Sequence, residues 1–341
     1  MTLKVGGLFS GVGGIELGFQ KAGCKIAWAN EIDKDACITY RKNFQHLLYE
    51  EDIHQLQGKN LESVDILTGG FPCQAFSLAG QRKGFDDHRG NLFFEIMRLV
   101  DELKEKPRVL FLENVKNLKS HDNGNTFSKI ANIIQEEYGY SFFSNVLNTS
   151  DYTKVPQNRE RTFIIAFRDE VNWRSDPSST ISKKFYDLFP PKKLLKPHSI
   201  HRYLQDTEVD EVFFYRQDKY NYTELREAMK SKDTIYQWRR VYVRENKKNL
   251  CPTLTANMGT GGHNVPLVKT EFGFRKLTPR ECFRFQGFPD TFKLPSIANS
   301  QLYKQSGNSV SMPVIYRLSK GIKVILDSVE SKINKNSVEV A

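Results

Sequence analysis

The sequence has few of the residues that build disulfide frameworks or metal centres. Its 341 residues include five cysteines and seven histidines, and no two cysteines have Cys-x-x-Cys spacing. An odd number of widely spaced cysteines argues against a disulfide framework or a zinc ribbon and fits a reducing cytoplasm. The one close histidine pair, His198 and His201, has no acidic or thiol ligand at metal-binding spacing, so no metal site is predicted.

Long apolar runs are also missing. No stretch approaches the length of a membrane span, and the mean hydropathy of −0.52 is that of a mostly polar chain. The first strand pattern starts at Leu3 and leads directly into a glycine loop, so we expect no cleavable signal. The sequence therefore predicts a soluble protein.

The charge is unbalanced toward the basic side. Fifty Lys and Arg residues against 40 Asp and Glu give a net charge of +10 and a pI near 9.2. Such an excess favours a polyanionic partner, of which nucleic acid is the leading candidate. The length allows one large core with a smaller second lobe.

The first half of the chain alternates between strand and helix patterns. Strand patterns at residues 3–9, 25–30, 64–68 and 108–112 each end at a polar or glycine-rich segment. These segments contain the glycine loop 10–14, Glu31, Cys73 and Glu113; Asp52 follows a shorter apolar run. In open parallel sheets, ligands bind outside the carboxyl ends of the strands. The convergence predicts a cofactor and active site there, although Glu31 alone could equally be a solvated carboxylate.

Residues 69–77 present one thiol in a rigid setting. Pro72 fixes its own φ and pushes Phe71 toward an extended conformation, and two glycines precede them. Cys73 is therefore a candidate nucleophile. Taken alone, a cysteine in this position is more often a small buried hydrophobe.

After Arg168 the alternation fades, and residues 175–179 and 190–193 suggest a lobe boundary. Residues 236–250 of the second lobe interleave Arg239, Arg240 and Arg244 with aromatic side chains. This composition suits nucleic-acid binding, and it is equally consistent with a solvated strand. A helix pattern at residues 309–329 is expected to pack back onto the first lobe.

Six ordered motifs, spread over nearly the whole chain, resemble those of bacterial C5-cytosine DNA methyltransferases of restriction-modification systems. They are residues 9–14 (Phe-Ser-Gly-Val-Gly-Gly), 70–74 (Gly-Phe-Pro-Cys-Gln), 113–115 (Glu-Asn-Val), 157–161 (Gln-Asn-Arg-Glu-Arg), 275–281 with 286–289 (Arg-Lys-Leu-Thr-Pro-Arg-Glu and Gln-Gly-Phe-Pro) and 305–310 (Gln-Ser-Gly-Asn-Ser-Val). The resemblance implies an α/β fold: a Rossmann-like methyltransferase lobe with a smaller, mostly irregular or β target-recognition lobe. The implied boundaries are a catalytic domain at residues 1–185, a recognition domain at 186–295, and a segment at 296–341 that completes the catalytic domain.

The resemblance also implies roles for individual residues. Cys73 adds to the cytosine, Glu113 holds the base, Arg161 steadies it and Arg159 supports the site. The implied methyl donor is S-adenosyl-L-methionine, with S-adenosyl-L-homocysteine as the product. The implied donor-binding residues are Phe9, Ser10, Gly11, Gly13, Gly14, Glu31, Ile32, Asp52, Ile53, Phe71, Leu92, Asn308, Ser309 and Val310. The implied DNA-binding residues are Ser77, Arg89, Arg239, Arg240, Arg244 and Thr253.

The partners expected from the resemblance are double-stranded DNA and a cognate restriction endonuclease, with the protein a monomer in the bacterial cytoplasm. Two alternatives are a tRNA cytosine-5 methyltransferase of the same superfamily and a catalytically silent DNA-binding relative. The basic insert favours duplex DNA over tRNA, and the retained thiol and glycine loop argue against a silent protein. A nicotinamide dehydrogenase would share the first lobe but would not need the later motifs.

Overall fold

A computed structural model describes residues 2–71, 92–168, 185, 187–194, 196–205, 209–219, 221–239, 242–246, 248–259 and 265–339. Four of the predicted site residues, Cys73, Ser77, Arg89 and Arg240, lie outside the described residues. The strands and helices below are those of the described ranges.

A seven-stranded sheet forms the centre of the larger lobe, in the order β3-β2-β1-β4-β5-β7-β6. Its strands are β1 (Lys4–Leu8), β2 (Lys25–Asn30), β3 (Leu47–Tyr49), β4 (Ile66–Gly69), β5 (Val109–Val115), β6 (Phe143–Asn148) and β7 (Glu160–Phe167). Neighbours from β3 to β5 pair in parallel, and β7 runs antiparallel to both β5 and β6. The carboxyl ends of the parallel strands therefore lie along one edge, as the sequence predicted.

The described helices cover both faces of this sheet or lie in the second lobe. They are α1 (Gly14–Lys21), α2 (Lys34–Asn43), α3 (Leu92–Glu102), α4 (Asn125–Asn132), α5 (Thr149–Tyr152), α6 (Tyr222–Ala228), α7 (Pro279–Phe285), α8 (Asn299–Asn308) and α9 (Met312–Glu339). Short 3-10 segments lie at Gly58–Asn60, Lys116–Gly124, Ile200–Tyr203, Glu211–Phe213 and Ala256–Gly259.

Burial on both faces explains why β5 is an almost continuous apolar run. Phe111 packs in one core with Phe19 of α1 and Ile315 of α9, whereas Leu110 packs in the other with Ile96 of α3. The Ser319 hydroxyl donates to the Gly18 carbonyl over 3.3 Å, which joins α9 directly to α1. The C-terminal helix thus packs onto the first lobe, as predicted.

The second lobe is built on a five-stranded antiparallel sheet in the order β10-β9-β11-β12-β8. Its strands are β8 (Phe214–Tyr215), β9 (Tyr236–Arg239), β10 (Tyr242–Glu245), β11 (Leu267–Thr270) and β12 (Gly273–Lys276). Leu225 and Met229, in and just after α6, cover one face beside Tyr236 and Phe274. The predicted fold class, an α/β lobe with a smaller β lobe, is confirmed, while the three domain boundaries stay a prediction.

Several predicted elements have different bounds in the structure. Glu113 and Asn114 lie inside β5 instead of following it, because β7 pairs with β5 as far as Val115. Helix α4 is followed directly by a π-helical turn at Ile133–Glu137. The predicted helix at 309–329 is preceded by a separate helix, α8, because Ser309 is extended at its C-cap (φ −69°, ψ 169°).

Candidate active site

The glycine loop follows β1 at the carboxyl edge of the sheet. The Ser10 amide donates to the Asn30 carbonyl over 3.0 Å, which ties the loop to β2. Gly13 has φ +87°, and a Cβ there would lie 2.2 Å from the Phe44 ring, so the position requires glycine. Gly11 (φ +56°) has no heavy atom of the described residues within 4 Å of a would-be Cβ, apart from its chain neighbours. The loop is packed on one side and open at Gly11, where a ligand can approach the backbone.

Glu31 closes this loop from the end of β2. Its Oε2 accepts from the Gly11 amide over 2.6 Å, and its Oε1 accepts from the amides of Ile32 and Asp33 over 2.9 and 2.8 Å. A carboxylate has about four acceptor positions, so roughly one remains for a ligand hydroxyl in this arrangement. The adjacent Ile32 side chain is 61% exposed, an apolar surface beside the open loop.

Asp52 and Ile53 lie beyond β3, and their side chains have different surroundings. Asp52 Oδ1 accepts from the His54 amide over 3.0 Å and contacts the His54 ring over 2.6 Å. These hydrogen bonds hold the pKa of Asp52 below its usual value. The Ile53 side chain is 3% exposed and belongs to the core under the sheet. Asn30 fixes this segment by donating to the Tyr49 and Glu51 carbonyls.

Phe71 is the last described residue before Cys73, and it is anchored twice. Its ring packs 5.8 Å from that of Phe93, and its carbonyl accepts from Asn114 Nδ2 over 2.7 Å. Asn114 is 2% exposed and was not among the predicted site residues, although its place beside Glu113 was a signal for it. Leu92 begins α3 and packs, partly buried, against the same core. Phe71 follows β4 and is tied to β5 by the hydrogen bond from Asn114. It is therefore a fixed point from which the chain continues to Cys73.

Glu113 and Arg161 form a nearly buried ion pair at the carboxyl edge of the large sheet, the catalytic edge. Arg161 Nε lies 3.1 Å from Glu113 Oε1, and the two side chains are 16% and 11% exposed. Burial raises the pKa of Glu113, and the positive charges of Arg161 and Arg159 oppose that rise. A Cβ at Gly70 would lie 3.7 Å from Glu113 Oε2. The carboxyl therefore lies beside the residue that leads, three positions later, to Cys73.

Arg159 has a different environment from Arg161, although the two residues belong to one motif. Its guanidinium is buried and donates to the carbonyls of Leu254 (2.8 Å), Gly307 (3.0 Å) and Ser309. Burial holds the pKa of Arg159 well below its usual value, with Arg161 adding to that effect. Arg159 thus joins three separate segments of the site and does not face an opening.

The segment after α8 closes the site over the start of α1. A Cβ at Gly14 would lie 2.8 Å from Ser309 Oγ and 2.9 Å from a Val310 methyl group. Asn308 is exposed, while Ser309 and Val310 are buried. Gly307 approaches the Thr255 backbone so closely that a Cβ there would lie 2.2 Å from the Thr255 carbonyl carbon. Residues far apart in sequence are therefore assembled around the glycine loop.

Two of the predicted DNA-binding arginines, Arg239 and Arg244, lie on the outer face of the β9–β10 hairpin. Tyr242 pairs with Arg239 and Arg244 pairs with Gln237, so these four side chains share one face. The opposite face carries Trp238 and Val243, which pack against the core of the lobe. Arg239, Tyr242 and Arg244 are exposed. The alternation therefore presents a basic and aromatic surface on an edge hairpin.

Thr253 lies where the two lobes meet. Its hydroxyl donates to the Asn158 carbonyl over 2.6 Å, and the Asn158 amide donates to the Cys251 carbonyl over 2.8 Å. The segment before Leu254 is thus joined to the segment that contains Arg159. The structure therefore places Thr253 against the catalytic lobe. Thr253 is not part of the β9–β10 hairpin.

Two absences concern the described residues alone. No helix among them is long and apolar enough to cross a bilayer. No group of three or more His, Cys, Asp or Glu side chains in the same residues is arranged to hold a metal ion.

Comparison with known proteins gives a consistent result. The family model described as C-5 cytosine-specific DNA methylase matches residues 3–324. The chain is 50% identical over 323 residues to Type II methyltransferase M.Bsp6I of Bacillus sp. (strain RFL6), covering 94% of this chain and 98% of that protein. It is 40% identical over 328 residues to Type II methyltransferase M.HhaI of Haemophilus parahaemolyticus, covering 92% of each.

A solved structure agrees with the sequence relatives. A candidate DNA modification methyltransferase encoded within an E. coli prophage has a TM-score of 0.68 and 26% identity, covering 96% of this chain and 100% of that one. The resemblance drawn from the motifs is thereby confirmed, and the DNA enzyme is favoured over the RNA enzyme and the silent relative. On a match that spans residues 3–324, the chain belongs to the C-5 cytosine-specific DNA methylase family.

Proposed function

We propose that the protein transfers a methyl group from S-adenosylmethionine to carbon 5 of a cytosine in duplex DNA, with Cys73 as nucleophile and Glu113 and Arg161 holding the base. The observation that carries this assignment is the Glu113–Arg161 pair beside Gly70. It sets a carboxyl and a cation next to the segment that contains the thiol. DNA methylation is the activity of the family, and the roles of these residues are the proposal.

The chemistry requires a covalent step. Carbon 5 of cytosine is a weak nucleophile, so the Cys73 thiolate adds to carbon 6 and makes carbon 5 electron-rich. Glu113, whose pKa is raised by burial, hydrogen-bonds N3 and supplies its proton while Arg161 orients the base. With the methyl group on carbon 5 and the donor left as S-adenosylhomocysteine, water removes the carbon-5 proton, the Cys73 thiolate leaves carbon 6, and the N3 proton returns to Glu113. The target must be unstacked for this attack, at a cost of roughly a few kcal/mol.

The donor site fits the predicted cofactor. Bound S-adenosylmethionine supplies a methyl group on a positively charged sulfur. The open backbone at Gly11 allows a close approach, and Glu31 has about one acceptor position left for a ribose hydroxyl. The exposed Ile32 offers a surface for the adenine, while Ser309 and Val310 close the loop. Ile53, whose side chain is in the core, can contribute only through its backbone.

The proposed partner is double-stranded DNA, approached by the outer face of the β9–β10 hairpin. The net charge of +10 favours a polyanion, and arginine is suited to both guanine edges and phosphates. Since the relatives at 50% and 40% identity are named Type II methyltransferases, we also propose a role in restriction-modification beside a cognate endonuclease. That role requires a cytoplasmic protein.

A suicide substrate tests the mechanism. Fluorine on carbon 5 cannot leave as a cation, so duplex DNA with 5-fluorocytosine at the target should form a stable adduct with Cys73 when the methyl donor is present. Peptide mapping should find the DNA on Cys73. The Cys73→Ala variant should bind DNA but form no adduct and transfer no methyl group. Cys24→Ala, which changes a buried thiol elsewhere in the lobe, is the matched control and should still form the adduct.

Three results would refute the assignment. One is an adduct on a different cysteine, another is an adduct that forms equally without the donor, and the third is turnover above a few per cent in Cys73→Ala. Methylation of tRNA in preference to duplex DNA would instead overturn the proposed substrate.

A further inference from the structure

A glutamate that the proposed mechanism does not use lies directly beneath the glycine loop. Glu16 is in the first turn of α1, and it is 1% exposed. A Cβ at Gly7 of β1 would lie 2.1 Å from Glu16 Oε1 and 2.7 Å from Ser10 Oγ. The absence of a side chain at Gly7 therefore makes the room that the Glu16 carboxyl occupies, between the strand and the loop.

The carboxyl is poorly compensated there. Among the described residues, Glu16 Oε2 has no hydrogen-bond partner, and no Lys, Arg or His forms an ion pair with Glu16. Burial raises the pKa of Glu16 to about 7, although the Ser10 hydroxyl favours the ionised form. Buried acidic groups that lack a partner are uncommon and costly, and a cationic ligand is one way to compensate them.

The charged and titratable groups around Glu16 do not compensate its charge. Glu31, which accepts from the Gly11 amide, raises the pKa of Glu16 by its negative charge. From α2, Tyr40 approaches, and burial keeps its pKa well above the usual value. The Tyr40 hydroxyl contacts His46, whose pKa is lowered by burial to about 4. Near neutral pH, Tyr40 and His46 are both uncharged, so neither neutralises the carboxylate.

Two carboxyls, Glu16 and Glu31, thus lie within electrostatic reach of each other beside the loop. We propose that Glu16 is a charge-selective positioning residue, whose carboxylate favours binding of the cationic methyl donor over its uncharged-sulfur product. This inference rests on the proposed donor, S-adenosylmethionine. The donor and S-adenosylhomocysteine differ only in the methyl group and positive charge of the sulfonium, so the pair of ligands isolates the effect of charge.

The sign of the proton linkage follows from that charge. A nearby cation stabilises the ionised carboxyl and lowers its pKa, so donor binding releases a proton and tightens as the pH rises through about 7. The product has no sulfonium charge and should release no proton from Glu16. If the donor lowers the pKa of Glu16 by about one unit, the ratio of donor to product affinity rises roughly tenfold from low to high pH.

Calorimetry on the full-length, unmodified protein is the first test. Each ligand is titrated at about pH 6, 7 and 8 in phosphate and in imidazole, two buffers with different heats of ionisation, and the difference gives the number of protons released. We expect proton release near pH 7 with S-adenosylmethionine and none with S-adenosylhomocysteine. Groups too far away to respond to the sulfonium charge affect both ligands alike and cancel in the comparison, and the Glu16→Gln variant isolates the contribution of Glu16 from that of nearer groups.

The Glu16→Gln variant keeps the shape of the side chain and removes its charge. It should bind both ligands with a ratio that no longer depends on pH. The control, Glu62→Gln, changes a half-exposed carboxylate of the same lobe and should behave as the unmodified protein. A circular dichroism melt confirms that each variant is folded, and the unmodified protein still tests the inference if Glu16→Gln is not.

Equal proton release with both ligands, or a pH-dependent ratio that persists in folded Glu16→Gln, would overturn the role of Glu16 and leave the proposed function intact. Failure of the unmodified protein to bind either ligand would instead overturn the proposed donor, which separates the two hypotheses.

Discussion

The catalytic edge of the large sheet and the outer face of the β9–β10 hairpin use charge in opposite ways. At the catalytic edge, Glu113 and Arg161 are almost buried and paired, and Arg159 is fully enclosed. On the hairpin, Arg239 and Arg244 are exposed on a strand pair at the edge of the small sheet. A buried charge that loses its partner is costly, whereas an exposed one is solvated by water.

The difference separates two kinds of mutational effect. Substitutions at the catalytic edge should change the rate or the stability strongly and leave sequence choice unaltered. Substitutions on the hairpin should change which DNA is bound and leave the fold unaltered. We expect the largest effects at the catalytic edge and the smallest, most selective effect on the hairpin.

The largest effect is expected for Glu113→Gln. Loss of the acid that supplies a proton to N3 should lower the methylation rate roughly 10²-fold or more. Because burial raises the pKa of Glu113, the unmodified enzyme should lose activity as the pH rises through that raised value. The amide cannot ionise, so this alkaline decline should be absent from the variant. Single-turnover rates across a pH series measure both effects.

A neighbouring carboxylate supplies the control for that experiment. Glu160→Gln changes a half-exposed residue of β7, the strand paired with β5, and removes its ion pair with Lys116 over 2.9 Å. Its rate should stay within about twofold of the unmodified enzyme, because exposed ion pairs contribute little. If Glu113→Gln methylates DNA at the unmodified rate, Glu113 has no part in the proton transfer.

A loss of stability is expected for Arg159→Met. The substitution leaves the carbonyls of Leu254, Gly307 and Ser309 without the donor they have in the folded protein. Each unsatisfied carbonyl costs about 1–3 kcal/mol of stability, and removal of a buried charge offsets part of that cost. We expect the free energy of unfolding to fall by roughly 2–3 kcal/mol. Urea titration followed by circular dichroism measures it. Arg168→Met, which removes a guanidinium that donates to the Lys106 carbonyl over 2.6 Å, should cost less than about 1 kcal/mol.

Much of the catalytic edge could be predicted from the sequence, because β/α alternation specifies a parallel sheet and the sheet specifies where strand ends meet. The glycine loop, Glu31 and Glu113 all lie at that edge as expected. The bounds of β5 were wrong because a polar Glu-Asn pair reads as the end of a strand, whereas β7 supplies the pairing that continues it. Strand pairing of this kind is a tertiary effect.

The environments of Arg159 and Arg161 show what the sequence could not give. The two arginines lie two positions apart in one motif, and that spacing does not tell which of them is enclosed. Arg159 is enclosed by segments that are distant in sequence, at Leu254 and at Gly307 to Ser309. Glu16 is a second case. An acidic residue in the first turn of a helix is expected on the solvent side, where it complements the helix dipole. Only the space at Gly7 allows it to point inward.

A smaller effect is expected for Glu31→Ala, through the donor alone. The substitution removes a charged acceptor from the ribose and frees the Gly11 amide that it fixes. Hydrogen bonds to charged groups contribute about 1.5–3 kcal/mol, so S-adenosylmethionine affinity should fall roughly tenfold to a hundredfold. S-adenosylhomocysteine should weaken equally, since the ribose is common to both. Calorimetric affinities equal to those of the unmodified protein would remove Glu31 from the donor site.

The smallest and most selective effect is expected on the hairpin, for Arg240→Ala. Arg240 lies outside the described residues, directly after β9, whose outer face carries the exposed Arg239. Arginine contacts two acceptors of a guanine edge, and each such pair contributes about 1–3 kcal/mol of discrimination. We therefore predict a short GC-containing target, with Arg240 as the leading reader and Arg239 or Arg244 next.

Mapping of 5-methylcytosine in plasmid DNA from a host that expresses the protein gives the target directly. In the Arg240→Ala host, a degenerate motif supports a base contact. An unaltered motif that is methylated at lower occupancy means instead that Arg240 contacts only a phosphate. In that case the slope of log affinity against log salt concentration should become less steep by about one. Arg226→Ala, on α6, which packs on the opposite face of the hairpin, removes an equal charge from outside the outer face and shows how much either result owes to net charge alone.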